Sequence, residues 1–233
     1  PIHALSHLIA SMKGLDGKIK IEGFYDDVVD LTIEDRQAIA RVPFDDQKYY
    51  TDFGAPESFG EIGYSTPERL WARPTLELNG IWGGYQGKGS KTVLPSKAHA
   101  KITCRLVANQ EPIKIYELIK SHVEANIPPG VTIDIEALPG SANPLLIPNG
   151  HNSSEIAGKV LRELYGKEPY KIRVGGSIPV MSTFLEELGV HPTMFAFGLE
   201  DEQIHAPNEF FRLSSFKKGQ VAYCMLLEEF GKV

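Results

Sequence analysis

Cysteine is scarce: the 233 residues contain two, Cys104 and Cys224. Two widely spaced thiols build neither a disulfide framework nor a four-ligand structural zinc site. Each falls inside an apolar pattern, so both are expected as small buried side chains, and a cytoplasmic setting is the default. Positive charge is also in deficit, with 24 Lys and Arg against 30 Asp and Glu and a formal net charge of -6. That excludes nucleic acid and anionic membrane as the main partners, because phosphate contacts need a basic surface. No apolar run reaches the length of about 20 residues that spans a bilayer, and no basic start with an apolar core marks a secretory leader.

Three catalytic patterns are missing as well. The Gly-rich stretch after Trp82 lacks the phosphate-loop spacing, and no helix opens after it. It is either a mobile turn or a loop that touches a ligand. Ser177 does not sit in the G-x-S-x-G elbow that exposes a nucleophilic serine. His3 and His7 stand i, i+4 on a helix, but the glutamate of the zinc-protease motif is absent between them and no third ligand follows. Their alternative role is as surface or interfacial histidines.

What is present is an ordinary globular composition, 42% hydrophobic and 23% charged, long enough for one large domain or two modest ones. The chain opens on a helix with an apolar stripe (Ile2, Leu5, Leu8, Ile9, Met12), and Pro1 suits the first turn. A beginning inside a helix, with no initiator Met, reads as a piece of a longer protein. Alternation predicts strands at 18–24, 75–82, 98–107 and 131–138. A second apolar stripe predicts a helix over 112–126 (Ile115, Tyr116, Ile119, Val123). Between the first two strands, about 30–72, lies a block without strong periodicity, read as an insertion; helix starts are legible at Thr32 and at Ser65-Thr66-Pro67-Glu68. One strand added in front would complete β-α-β-β-α-β, a ferredoxin-like arrangement.

Pro, Gly and Asn crowd 139–149, and a boundary is placed there, giving domains 1–140 and 141–233. Beyond it helices and strands alternate: helix from 153, strand 170–174, helix to 188, strand 192–197, helix 213–230. The fold class is therefore α/β with an α+β lid. Two loops follow strands in the second part, 174–178 and 198–209, and both are expected to face one cleft. The first carries Gly175, Gly176 and Ser177 at a helix start, a cradle for a carboxylate or phosphate, or else a tight turn with its cap. The second carries His205 among Glu200, Asp201, Glu202, Asn208 and Glu209, which suits a metal ligand with its supporting carboxylates, or else a solvated acidic loop. Arg105 and Arg173 could each grip a carboxylate bidentately or form surface ion pairs.

Three segments, taken in order, resemble a known family: Gly87 to Asn109 with Thr92 and Arg105, Arg173 to Val180, and His205-Ala206-Pro207-Asn208-Glu209. They are similar to the dinuclear zinc exopeptidases, which include carnosinase-like dipeptidases, carboxypeptidase G, aminoacylase and succinyl-diaminopimelate desuccinylase. The likeness is strongest to the dipeptidase branch. It implies a catalytic α/β domain carrying a ferredoxin-like lid through which two copies pair as a homodimer. It implies two zinc ions, with manganese or cobalt as substitutes, and a small peptide or N-acyl amino acid as substrate. On that resemblance His205 is a metal ligand, Asn208 and Glu209 support its loop, and Thr92, Arg105, Gly175, Gly176 and Ser177 bind substrate. The family's H-x-D motif, its bridging aspartate and its Glu-Glu pair have no match. The resemblance therefore covers the C-terminal portion of such an enzyme, inactive by itself, with the general base expected upstream of Pro1. The other reading is a non-catalytic dimerisation or ligand-binding module.

Overall fold

The computed structural model describes residues 1–175 and 178–232, the Glu200 side chain excepted. The chain separates into two units, 1–146 with 171–182, and 147–170 with 183–233. The fold is mixed α/β with a small sheet.

In the first unit, α1 (Ile2–Met12) and α5 (Pro112–Asn126) lie with an antiparallel pair, β1 (Thr75–Gly83) and β2 (Ala98–Arg105). The pairing register slips once, between Leu78 and Gly80. Such a bulge bends a strand and raises its twist. The apolar stripe of α1 supplies Leu8 and Met12, and that of α5 supplies Ile115 and Val123; they close on Ile19, Ile21, Phe24 and Leu76. Cys104 packs against the same core, as its alternating strand position requires.

Of the four strands expected in this part, two form the ladder. Segment 18–24 contributes a single bridge, Lys13 to Ile19, then turns. Gly17, at a φ of +78°, sits in the turn before the bridge, and Gly23, at +77°, ends the extended run. Segment 131–138 has no ladder either. Its Ile135 still packs on the core, and the Ile135 carbonyl accepts from the Tyr116 hydroxyl at 3.2 Å. Alternation placed these side chains correctly, but it cannot supply a pairing partner.

The block at 30–72 is helical in three pieces: α2 (Ile33–Ala40), α3 (Asp46–Asp52) and α4 (Thr66–Ala72). Thr32 and Ser65 cap α2 and α4 through reciprocal capping boxes with Asp35 and Glu68. Polar side chains rather than a large apolar core tie the block down. Arg36 pairs with buried Glu68 at 2.9 Å. Arg73 meets Glu61 through two hydrogen bonds of 2.8 and 2.7 Å and lies over the rings of Tyr25 and Tyr64.

The second unit is built on α6 (Asn152–Tyr165) and α8 (Leu213–Phe230). Ile156, Ala157 and Val160 pack with Ala222 and Leu226 in one core that also takes in Phe195. Gly219 permits close approach: a Cβ there would sit 3.3 Å from the Phe197 ring. Gly219, Ala222 and Leu226 recur at i, i+3, i+7, so Cys224 falls off the buried face and is exposed, contrary to expectation. The predicted strands at 170–174 and 192–197 enter no ladder among the described residues. The boundary between the units in sequence falls within α7 (Val180–Leu188). No helix of the described residues is long and apolar enough to cross a membrane.

Candidate functional site

Arg105 ends β2, and its backbone N–H donates to the Thr75 hydroxyl across the ladder at 3.4 Å. The β-pleat directs its side chain opposite to that of Cys104, away from the core. Its guanidinium donates to the Gly175 carbonyl at 2.6 Å. Two candidate residues seventy positions apart in the chain thus meet within the first unit. Gly175 is constrained on its other flank, where a Cβ would collide with the Leu70 carbonyl oxygen. Glycine is the one residue that lets the backbone come so close to α4. Gly176 and Ser177 lie outside the described residues.

The segment leading into Gly175 is anchored by Arg173, whose guanidinium pairs with Asp35 at 2.7 Å. Asp35 is already the capping-box partner of Thr32 at the start of α2, so one carboxylate serves a helix start and the segment before Gly175 together. Of the two roles open to Arg173, the ion pair is the one formed. Thr92 is exposed in the segment between β1 and β2, where Tyr85 closes on the Lys88 carbonyl at 3.0 Å.

His205 belongs to the second unit. Its loop carries three non-glycine residues in the left-handed region, Gln203, His205 and Asn208, with φ of 54°, 64° and 66°. Such conformations persist only where the surroundings hold them. The holding residue is Glu202, a side chain that composition did not single out from its acidic neighbours. It is 1% exposed and accepts from the Leu199 and Arg212 backbone N–H groups at 2.8 and 2.9 Å. The Arg212 guanidinium adds an ion pair at 3.2 Å and grips Asp201 with two more bonds. Backbone N–H donors first, and Arg212 after them, hold the Glu202 carboxyl below its ordinary 4.5. Glu209 turns back so that its carboxylate accepts the His205 backbone N–H at 3.3 Å. Asn208 and His205 are exposed.

No group of three or more His, Cys, Asp or Glu side chains able to hold a metal occurs among the described residues. His3 and His7 are both exposed on α1 and join no such group. A catalytic zinc needs three or more protein ligands, so the described residues by themselves do not fit one.

The packing defines a class: an α/β lid domain that presents an arginine to a glycine carbonyl, in one chain with a histidine loop ahead of α8. The family model for a peptidase dimerisation domain matches residues 1–131, and the chain belongs to that family. Among curated relatives, a Cys-Gly metallodipeptidase of Schizosaccharomyces pombe is 30% identical over 98% of this chain and 49% of its own length. The human Beta-Ala-His dipeptidase is 26% identical over 90% of this chain and 42% of its own. The chain therefore spans about half the length of the curated relatives it matches. Among solved structures, an M20 family metallo-carboxypeptidase from Sulfolobus solfataricus superposes with a TM-score of 0.87 at 31% identity, over 100% of this chain and 53% of that one. Human carnosine dipeptidase 1 shares the fold, with a TM-score of 0.81 at 23% identity over 100% of this chain and 50% of its own.

Proposed function

We propose that the full-length protein is a metal-dependent hydrolase of peptide or N-acyl amide bonds, a dipeptidase-like exopeptidase that works as a homodimer in the cytoplasm. In this reading residues 1–140 are the lid through which two copies pair, and 141–233 are part of the catalytic α/β domain. The observation that carries it is the meeting of Arg105 with the Gly175 carbonyl. A guanidinium has five N–H donors, and one carbonyl occupies one of them. The rest suit the free carboxylate of a small peptide, with Gly175, Gly176, Ser177 and Thr92 assigned as further substrate contacts. Relatives that are metallodipeptidases and a metallo-carboxypeptidase support the same reaction class.

His205 is assigned as one metal ligand, its backbone held by the Glu209 carboxylate, with Asn208 in the same left-handed loop. Two zinc ions, or manganese or cobalt in their place, would polarise the scissile carbonyl and activate water when bound. The other ligands and the general base would come from outside the described residues. By itself the chain is then a dimerisation and partial binding module, a second reading that agrees with the lack of a three-ligand group among the described residues. The 233-residue chain supplied with zinc is expected to show no turnover of Cys-Gly or β-alanyl-histidine, and zinc-dependent hydrolysis by it would refute the division of labour.

In a full-length enzyme, His205→Ala is expected to reduce bound zinc and abolish hydrolysis. Normal zinc content with retained activity would remove His205 from the site. Arg105→Gln is expected to raise KM about tenfold for dipeptides with a free C-terminal carboxylate, about 1.4 kcal/mol. The KM for the matching C-terminal amide should stay as it was.

A further inference from the structure

The helical block at 46–69 lines an open, solvent-facing hollow of about 480 Å³ that has no part in the reading above. Its polar wall is a short relay. Arg69 donates to the Tyr50 hydroxyl at 3.3 Å and to the Thr66 hydroxyl at 3.1 Å. Thr66 in turn donates to the Asp46 carboxylate. Because that step uses the only proton of Thr66, Tyr50 must be the donor in the 2.9 Å bond between the two hydroxyls. Every proton direction in the relay is therefore fixed, running from Arg69 to Asp46.

The Arg69 guanidinium, half-buried, has no ion pair with a carboxylate of the described residues. Its position is set from the other side by Gly60, where a Cβ would lie 2.7 Å from the Arg69 Cδ. Other arginines of this unit that are withdrawn from solvent to some degree, Arg36, Arg73 and Arg173, each have a carboxylate partner. At Arg69 the cation faces a cavity instead. The same cavity carries Asp46 and Glu57. Two carboxylates would repel a phosphate, and an arginine would repel a simple amine. Opposite charges linked through one hydroxyl suit a ligand that carries both signs close together.

We propose that this cavity binds the zwitterionic head of a free α-amino acid, its carboxylate taken by Arg69 and its ammonium by Asp46 with Glu57. The cavity volume exceeds that of the head group and leaves space for a side chain. This site is separate from Arg105 and Gly175 and stands on its own geometry, whatever the fate of the hydrolase reading.

The test is titration calorimetry of the 233-residue chain with L-leucine, which offers no peptide bond to cleave. Saturable 1:1 binding is expected. N-acetyl-L-leucine and L-leucinamide, each lacking one of the two charges, should bind at least tenfold more weakly. Arg69→Gln and Asp46→Asn should each weaken leucine at least tenfold while keeping the parent unfolding curve, and Arg105→Gln should leave it unchanged. Should Arg69→Gln lose its fold, the two blocked ligands on the parent chain and the exposed Glu57→Gln variant decide the matter. Equal binding of the acetylated or amidated compound, or no saturation at 50 mM (roughly ten times a weak-site Kd), would overturn the proposal. So would loss of binding in Arg105→Gln with retention in Arg69→Gln, which would move the amino acid to the Gly175 turn.

Discussion

Gly175 and Arg73 are held by opposite physics. At Gly175 the constraint is space: no side chain fits against the Leu70 carbonyl. Gly175→Ala should therefore cost about 1–3 kcal/mol, the usual range for overpacking, seen as a lower midpoint in thermal unfolding. An unchanged midpoint would mean that the turn has room to shift. At Arg73 the constraint is charge. Its side chain is 8% exposed and that of Glu61 12%. Burial disfavours the Arg73 cation, but the Glu61 carboxylate more than compensates and raises its pKa above the ordinary value. Arg73→Met would leave Glu61 buried without its partner and should destabilise by about 3–5 kcal/mol. The companion double variant with Glu61→Leu should recover most of that loss, and a double variant no better than the single would rule out an unpaired charge as the cause. Neither effect was visible in the sequence. Arg73 stands in an unremarked Trp-Ala-Arg-Pro string, and nothing about Gly175 announces which backbone it will touch.

At the scale of elements, the legible features were those whose causes are local. The stripes of α1, α5 and α8, the capping boxes of α2 and α4, and the alternation of β2 all follow from spacing within a few residues. Strand pairing is not local: segment 131–138 has the alternation of a strand and 192–197 its apolar run, and neither enters a ladder among the described residues. The His205 loop was also placed correctly, between an apolar run and α8, but the residue that shapes it was not. Three acidic side chains precede His205, and composition cannot say which one turns inward. Glu202 does, and its folded carboxyl is held below 4.5. A depressed pKa means that the native state binds fewer protons than the unfolded one. The contribution is present above about pH 4.5 and is lost as pH falls through the lower folded value. Glu202→Gln should therefore lower stability near neutral pH and flatten the acid limb of the stability profile. Urea unfolding between about pH 3 and 7 reads this directly; parallel profiles for parent and variant would mean that Glu202 is protonated alike in both states.

For the whole molecule, the two cores predict separable stabilities. Phe24 is 1% exposed in the first and Leu226 7% in the second. Phe24→Ala should cost about 3–5 kcal/mol and Leu226→Ala about 2–5 kcal/mol. Each should lower the amide protection of its own unit in hydrogen exchange and leave the other near its parent value. If both variants loosened every amide equally, the chain would be unfolding as one cooperative body. The family was legible because its motifs recur in order along the chain, whereas a complete metal centre was not, since three or more ligands must converge in space.

Cys104 gives this architecture a use. Burial against the first core, with a smaller push from Glu77, raises its thiol to about 12. Only a thiolate attacks an electrophile, so at neutral pH Cys104 is silent while folded. Cys224 is exposed on α8. A maleimide dye should therefore mark Cys224 within minutes and Cys104 only when its unit opens. The wild-type chain thus carries one attachment point for a fluorophore and one built-in clock for opening of the first unit.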